Sequence, residues 1–165
     1  MITKTRKLPR VVRLDASDEE VYELAAEPGE WAVPGGFEFL DDSAEDLSGK
    51  RLQAFQSGFL GIRSFGRATL VAVTAVDEAD YRKAIDDLAD HLLDAYGAPD
   101  REAALRAAGA EVAYAETLCE HDLNTLLAVE RELTADGVSE RFKKFIPTGA
   151  HWDEGKPLVY AEEDG

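Results

Sequence analysis

Gly61-Ile62-Arg63-Ser64-Phe65-Gly66-Arg67-Ala68 is the stretch whose residue types come nearest to a known chemical device. Its two glycines, followed by a cation and a small residue, approach the phosphate-binding loop, in which backbone amides cradle phosphate, a lysine pairs with it and a hydroxyl holds Mg²⁺. The chemistry then departs. Arg67 stands for the lysine, Ala68 has no hydroxyl, and the β-rich run that follows predicts a strand, so no helix N-terminus points at a phosphate. Nucleoside triphosphate hydrolysis is excluded on these grounds. A simpler use survives: glycine amides with Arg63 and Arg67 can hold a carboxylate or phosphate, because guanidinium offers a bidentate fork. The neighbours suggest a different use. Phe59, Leu60, Ile62 and Phe65 sit among these cations, with Trp31 expected close by, and aromatics plus arginine without acids is the composition of a protein-binding surface. The candidate partner- or anion-binding residues are therefore Trp31, Gly58, Phe59, Leu60, Gly61, Arg63, Phe65 and Arg67. The plainer alternative is that the glycines serve tight turns, the arginines meet surface acids and the apolar residues plug one end of the core.

Glu116, Cys119 and His121 are the one cluster with soft and borderline metal ligands. On a continuing helix positions 119 and 121 diverge by about 200°, so they share a metal only if the helix ends between them. Cys119 also completes an apolar stripe begun at Leu105, which favours a buried core thiol. His91 beside an apolar helical stripe and His151 in the tail have no local partner for a catalytic dyad. Paired acids such as Asp41-Asp42 and Asp86-Asp87 carry little weight in so acidic a chain. No cofactor is implied, and the balance leans away from an enzyme.

The island that holds the loop is chemically distinct. From Leu47 to Val76 there is no Asp or Glu, while the whole chain has 34 acids against 18 bases and a formal charge of −16. That excess repels nucleic-acid phosphates and anionic headgroups at long range, so neither nucleic acid nor membrane is an expected partner. One cysteine cannot close an intramolecular disulfide. The N-terminal residues resemble no secretory signal and no apolar run is long enough to span a membrane, so a cytoplasmic location is expected.

Elements that must position these residues follow from pattern. Leu8 to Leu14 predicts an edge strand, Ser17 to Ala25 a short capped helix with a strand as the alternative, and Trp31 to Phe39 a hairpin turning at Pro34-Gly35. Gly49 to Ser57 predicts a helix stopped by Gly58, and Arg67 to Val76 a central strand covered on both faces. Two long helices are expected at about 78–96 and 101–118, the first with the stripe Tyr81, Ile85, Leu88, Leu92 and Tyr96, the second alanine-rich. Leu126–Leu133 and Val138–Ile146 predict a hairpin pairing Leu133 with Val138, Arg131 with Glu140, Glu130 with Arg141 and Val129 with Phe142. The fold class is α+β, a mostly antiparallel sheet packed against the two long helices in one domain over 1–147. Residues 148–165 read as an extended polar tail, in which Leu158-Val159-Tyr160 docks.

The segments Gly29-Glu30-Trp31-Ala32-Val33-Pro34-Gly35, Phe55-Gln56-Ser57-Gly58-Phe59-Leu60-Gly61, Phe65-Gly66 and Thr69-Leu70-Val71 resemble a small proteobacterial family known only as a domain of unknown function, from about Leu8 to Pro147. That family is associated with gene neighbourhoods encoding a biotin/lipoate-ligase-like protein and formate dehydrogenase accessory proteins. The resemblance implies an accessory role beside a redox enzyme and supplies no catalytic residue. The expected function is a non-catalytic interaction or assembly protein for an unidentified protein partner, self-association being compatible with it. A small-molecule anion-binding protein or enzyme using loop 58–67 is the alternative.

Overall fold

The computed structural model describes residues 5–13, 17–39, 42–95, 97–146 and 159–162. Leu14, Asp41, Tyr96, Pro147, His151 and Leu158, named above, lie outside them. The main sheet runs in the order β1 (Lys7–Val12), β5 (Leu70–Ala75), β6 (Leu126–Thr134), β7 (Gly137–Ile146) and β8 (Val159–Glu162), each neighbour antiparallel to the next. A small second sheet joins β2 (Ala32–Val33), β3 (Phe59–Gly61) and β4 (Arg67–Ala68), also antiparallel. The expected α+β class, antiparallel sheet and two long helices are all present in one domain.

Those helices are α3 (Glu78–Ala95) and α4 (Arg101–Thr117). Each begins on an aspartate: Asp77 Oδ1 accepts from Asp80 N at 2.7 Å and Asp100 Oδ1 from Ala103 N at 2.8 Å, satisfying amides that have no intrahelical partner. They pack on each other, and α4 lies against β1 and β2. Buried Ala104, Ala108 and Ala115 lie on the inner face of α4, so little side chain keeps its backbone from its neighbours. Leu88, Val112, Leu60, Ile62 and Leu8 close the core between these elements, each side chain contributing about 1.5–3 kcal/mol by leaving water.

β1 is an edge strand, as expected, and α2 (Gly49–Ser57) stops at Gly58. The run from Arg67 divides at Thr69: β4 belongs to the small sheet, and β5 is held between β1 and β6. Thr69 Oγ1 is fixed at that corner by Asp18 at 2.8 Å and Tyr22 Oη at 2.9 Å. The short helix α1 covers only Ser17–Val21. The expected hairpin over Trp31–Phe39 is a correction. β2 pairs with β3 instead, and Gly36–Phe39 forms a 3₁₀ turn. Two arginines remote in sequence take the carbonyls of Pro34 and Gly35, so the chain cannot fold back on itself there.

Candidate functional site

The predicted loop residues divide between two environments. Phe59 and Leu60 are 0% exposed, because β3 is the middle strand of the small sheet, paired on both edges and packed on both faces. Phe59 meets the Phe142 ring at 6.1 Å, and a Cβ on Gly35, which adopts φ +72°, would come within 2.4 Å of Leu60 Cβ. A contact surface built on Phe59 and Leu60 is therefore corrected: they plug the core, and Gly58 and Gly61 are buried beside them.

Arg67 is 5% exposed and Arg131, on β6, 3%. The two guanidiniums converge on two stretches of backbone, Pro34–Gly35 and the end of α2 at Phe55–Gly58. Arg67 Nη1 donates to Gly58 O at 3.1 Å, and its Nη2 donates to Gly35 O at 3.1 Å and to the Glu38 carboxylate. Arg131 Nη1 donates to Phe55 O and Gly58 O, each at 2.9 Å, its Nη2 to Pro34 O, and its Nε to Glu140 Oε2 at 2.6 Å. The Phe39 ring lies 4.7 Å from the first guanidinium carbon and 5.9 Å from the second, with Arg51 at 5.1 Å. Glu111 on α4 accepts from Gly35 N at 3.2 Å, and burial holds its carboxyl above the usual carboxylate range despite that amide. Burial and nearby Glu140 likewise push the Tyr114 phenol up, its hydroxyl donating to Glu140 at 3.0 Å. This is a buried ionic knot whose arginine donors serve the chain's own carbonyls and carboxylates.

Glu30 fills the other half of the loop. Its Oε1 accepts from Arg63 N at 2.9 Å and Ser64 N at 3.0 Å; its Oε2 accepts from Ser64 Oγ at 2.7 Å and Glu27 N at 2.6 Å. The glycine amides expected to hold an anion are spent within the chain, Gly61 N on Gly66 O and Gly66 N on Ser64 Oγ, each at 2.9 Å, and the neighbouring Arg63 and Ser64 amides hold a carboxylate of this chain instead. Gly61 is required there, since a Cβ would lie 2.5 Å from the Glu30 carboxyl carbon. With Arg67 in the knot and the glycine amides engaged, the anion site expected from Arg63, Arg67 and the glycine amides is corrected as well, and of these groups the Arg63 side chain is the one left exposed. Phe65 stacks on His91 of α3 at 3.9 Å, and His91 Nε2 lies 3.1 Å from Arg63 O.

Trp31 and Arg63 are the predicted residues that remain at the surface together. They line a cleft of about 210 Å³ with Arg10, Gly29, Glu30, Ile62 and the α3 residues Asp80, Lys83, Ala84 and Asp87. The Arg10 guanidinium sits 5.0 Å from the Trp31 ring centroid. Sequence reasoning passed over Glu30, Arg131, Arg10 and Asp80. Glu30 was visible as the acid beside Trp31, whereas nothing local separated buried Arg131 from an exposed cross-strand partner of Glu140.

Cys119 is buried at the end of α4, and burial pushes its thiol up to about 12. Lys7 Nζ donates to His121 O at 2.7 Å, and among the described residues no group of three His, Cys, Asp or Glu side chains is placed to hold a metal. Glu116 is drawn instead toward Tyr81, whose hydroxyl it accepts at 3.2 Å, and Arg6 at 3.9 Å.

A family model described as a family of unknown function, DUF6505, matches residues 5–154. The chain belongs to that family. No curated protein matches it, and no solved structure does. In this DUF6505 chain the match takes in both arginine neighbourhoods and Trp31, and it ends before β8. Among the described residues no helix is long and apolar enough to cross a membrane.

Proposed function

We infer that this DUF6505 protein is a non-catalytic binding module with an assembly or accessory role, and that it meets its protein partner through the outer end of the β6–β7 hairpin. The observation that carries this is the pair Leu133 and Val138, directly opposite one another and 38% and 41% exposed. Their position gives the exposure meaning, since scattered surface leucines are ordinary. β6 pairs with β5 only at Leu126 and Leu127, so from Ala128 outward the hairpin leaves β5 behind. Strand alternation puts Leu133 on the face of Val129 and Arg131, and Val138 on that of Glu140 and Phe142. The inward face thus continues into solvent as an apolar pair. Half-exposed Tyr114 extends it toward the body, its ring 6.2 Å from Phe142. An accessory role beside a redox enzyme is the context that the family resemblance implies.

The test is native mass spectrometry of protein isolated gently from its own cells, comparing wild type with Leu133→Asp/Val138→Asp. Wild type is expected to carry a partner of defined mass and the variant to run as the bare chain. Two aspartates facing each other across the strands repel, so the variant should lose about 1 kcal/mol, and its melting transition is checked to show that the fold persists. A variant that keeps the partner, or a wild type that is bare after mild cross-linking, overturns the assignment.

A further inference from the structure

The cleft beside Trp31 shares no lining residue with the hairpin and is lined by charges of both signs. Several of its ionic groups are engaged. The Glu30 carboxylate holds the loop amides, and Lys83 Nζ is paired with Asp87 at 3.2 Å. Arg10 Nε is held by Gly29 O at 2.7 Å, which leaves its terminal nitrogens unclaimed among the described residues and its plane over Trp31. The Arg63 guanidinium and the Asp80 carboxylate have no partner among the described residues, although both line this one cleft. Its remaining unpaired inventory is two guanidiniums on the Trp31 side and one carboxylate on α3.

The walls are fixed, which keeps the cleft open. Glu30 pins Arg63 N and Ser64 N, and His91 engages Arg63 O. Asp80, Ala84, Asp87 and His91 follow at helical spacing along one side of α3, and the small buried Ala84 between the two aspartates leaves the room. A simple anion would satisfy the guanidiniums but face Asp80, and a simple cation would meet the reverse problem. A ligand carrying both charges satisfies all three groups, and the apolar wall of Trp31 takes what lies between.

We propose that this cleft binds a free zwitterion of amino-acid size: its carboxylate on Arg63 and Arg10, its ammonium on Asp80 and an apolar side chain along Trp31. Guanidinium and carboxylate match as planar forks, and two charge-assisted contacts fix the orientation. At about 210 Å³ the cleft is smaller than the pockets of about 300–1,000 Å³ that hold larger organic ligands, as a ligand of this size requires. A residue inside a polypeptide lacks both α-charges, so the free compound is the occupant.

The experiment is a two-dimensional NMR titration of the ¹⁵N-labelled full chain with L-leucine, with N-acetyl-leucine and leucine amide each removing one charge. Saturable shifts at the Trp31 indole N–H and the Arg63 amide are expected with leucine, and binding at least about tenfold weaker, equivalent to about 1.4 kcal/mol, with either analogue. Arg63→Ala should weaken leucine by about the same factor. Asp80→Asn should weaken leucine but leave N-acetyl-leucine unchanged. Both substituted residues are exposed, so the dispersed spectrum of a folded chain should persist in each variant. Absence of leucine shifts at Trp31, or equal binding of leucine and N-acetyl-leucine, overturns the proposal; the second result would make the cleft a plain carboxylate site.

Discussion

Arg67 and Arg131 sit in the interior with their guanidiniums on carbonyls and carboxylates, whereas Arg10 and Arg63 border an open cleft with donors to spare. All four serve a chain of formal charge −16, yet they do opposite work. The buried pair are cross-links: five nitrogen–hydrogen donors on a rigid plane can tie several backbone carbonyls at once, and α2, the Pro34–Gly36 turn and β6 meet at them. The cleft pair are free to recognise something else. The difference teaches that arginine count says little about binding until the acceptors already claimed are subtracted.

The contrast breaks most sharply at Arg131. Arg131→Met takes the guanidinium donor from Phe55 O, leaves Gly58 O and Pro34 O to Arg67 alone and strips Glu140 of its cation, and should cost about 3–5 kcal/mol in urea unfolding. Arg63→Ala in the same assay should stay within about 0.5 kcal/mol. Similar losses from the two would dissolve the distinction. Glu30 comes next, because it lies between the two regions and organises the second. Glu30→Ala strands the Arg63, Ser64 and Glu27 amides, and should cost about 1–3 kcal/mol. Amide exchange at Arg63 and Ser64 should accelerate well beyond that at Leu127 in the main sheet; uniform acceleration would mean that Glu30 stabilises the whole fold instead of the cleft wall.

The smallest effect belongs to Glu111, the buried acid beside the knot. Its folded-state pKa lies above the ordinary carboxylate value, so the folded form binds the proton more tightly than the unfolded chain. The stability it supplies is full below the unfolded carboxylate pKa and falls away as pH rises through the raised folded value. Glu111→Gln keeps an acceptor for Gly35 N and removes the titration. The variant should therefore gain on wild type as pH climbs from acid to neutral in melting experiments across that range. A gain that grows toward acid would show that the neighbouring arginines, and not desolvation, govern the site.

The β6–β7 hairpin was legible because its information is local. Two charge pairs, two apolar pairs and Gly137 at φ +120° specify a single register, and every pairing expected there is present. Trp31–Phe39 misled for the converse reason: Pro34-Gly35 has turn chemistry, but Arg67 and Arg131 decide where the chain goes, and neither is local. The acid-free island was visible as chemically different, though its cause was not. It contains β3, β4 and β5, whose burial excludes unpaired carboxylates on desolvation grounds, so missing acids mark interior as readily as interface. Trp31 and Arg63 were legible as candidates; their common cleft was not, because α3 supplies its other wall.

The Pro34 and Gly58 carbonyls take their Arg131 donor from 97 and 73 residues further along the chain. A nascent chain that has exposed the N-terminal half cannot complete its interior until β6 has been made. These closing contacts join residues far apart in sequence, so the loop between them must be closed before they can form. Arg131 acts as a completion signal: the guanidinium leaves water only when both halves of the molecule have arrived.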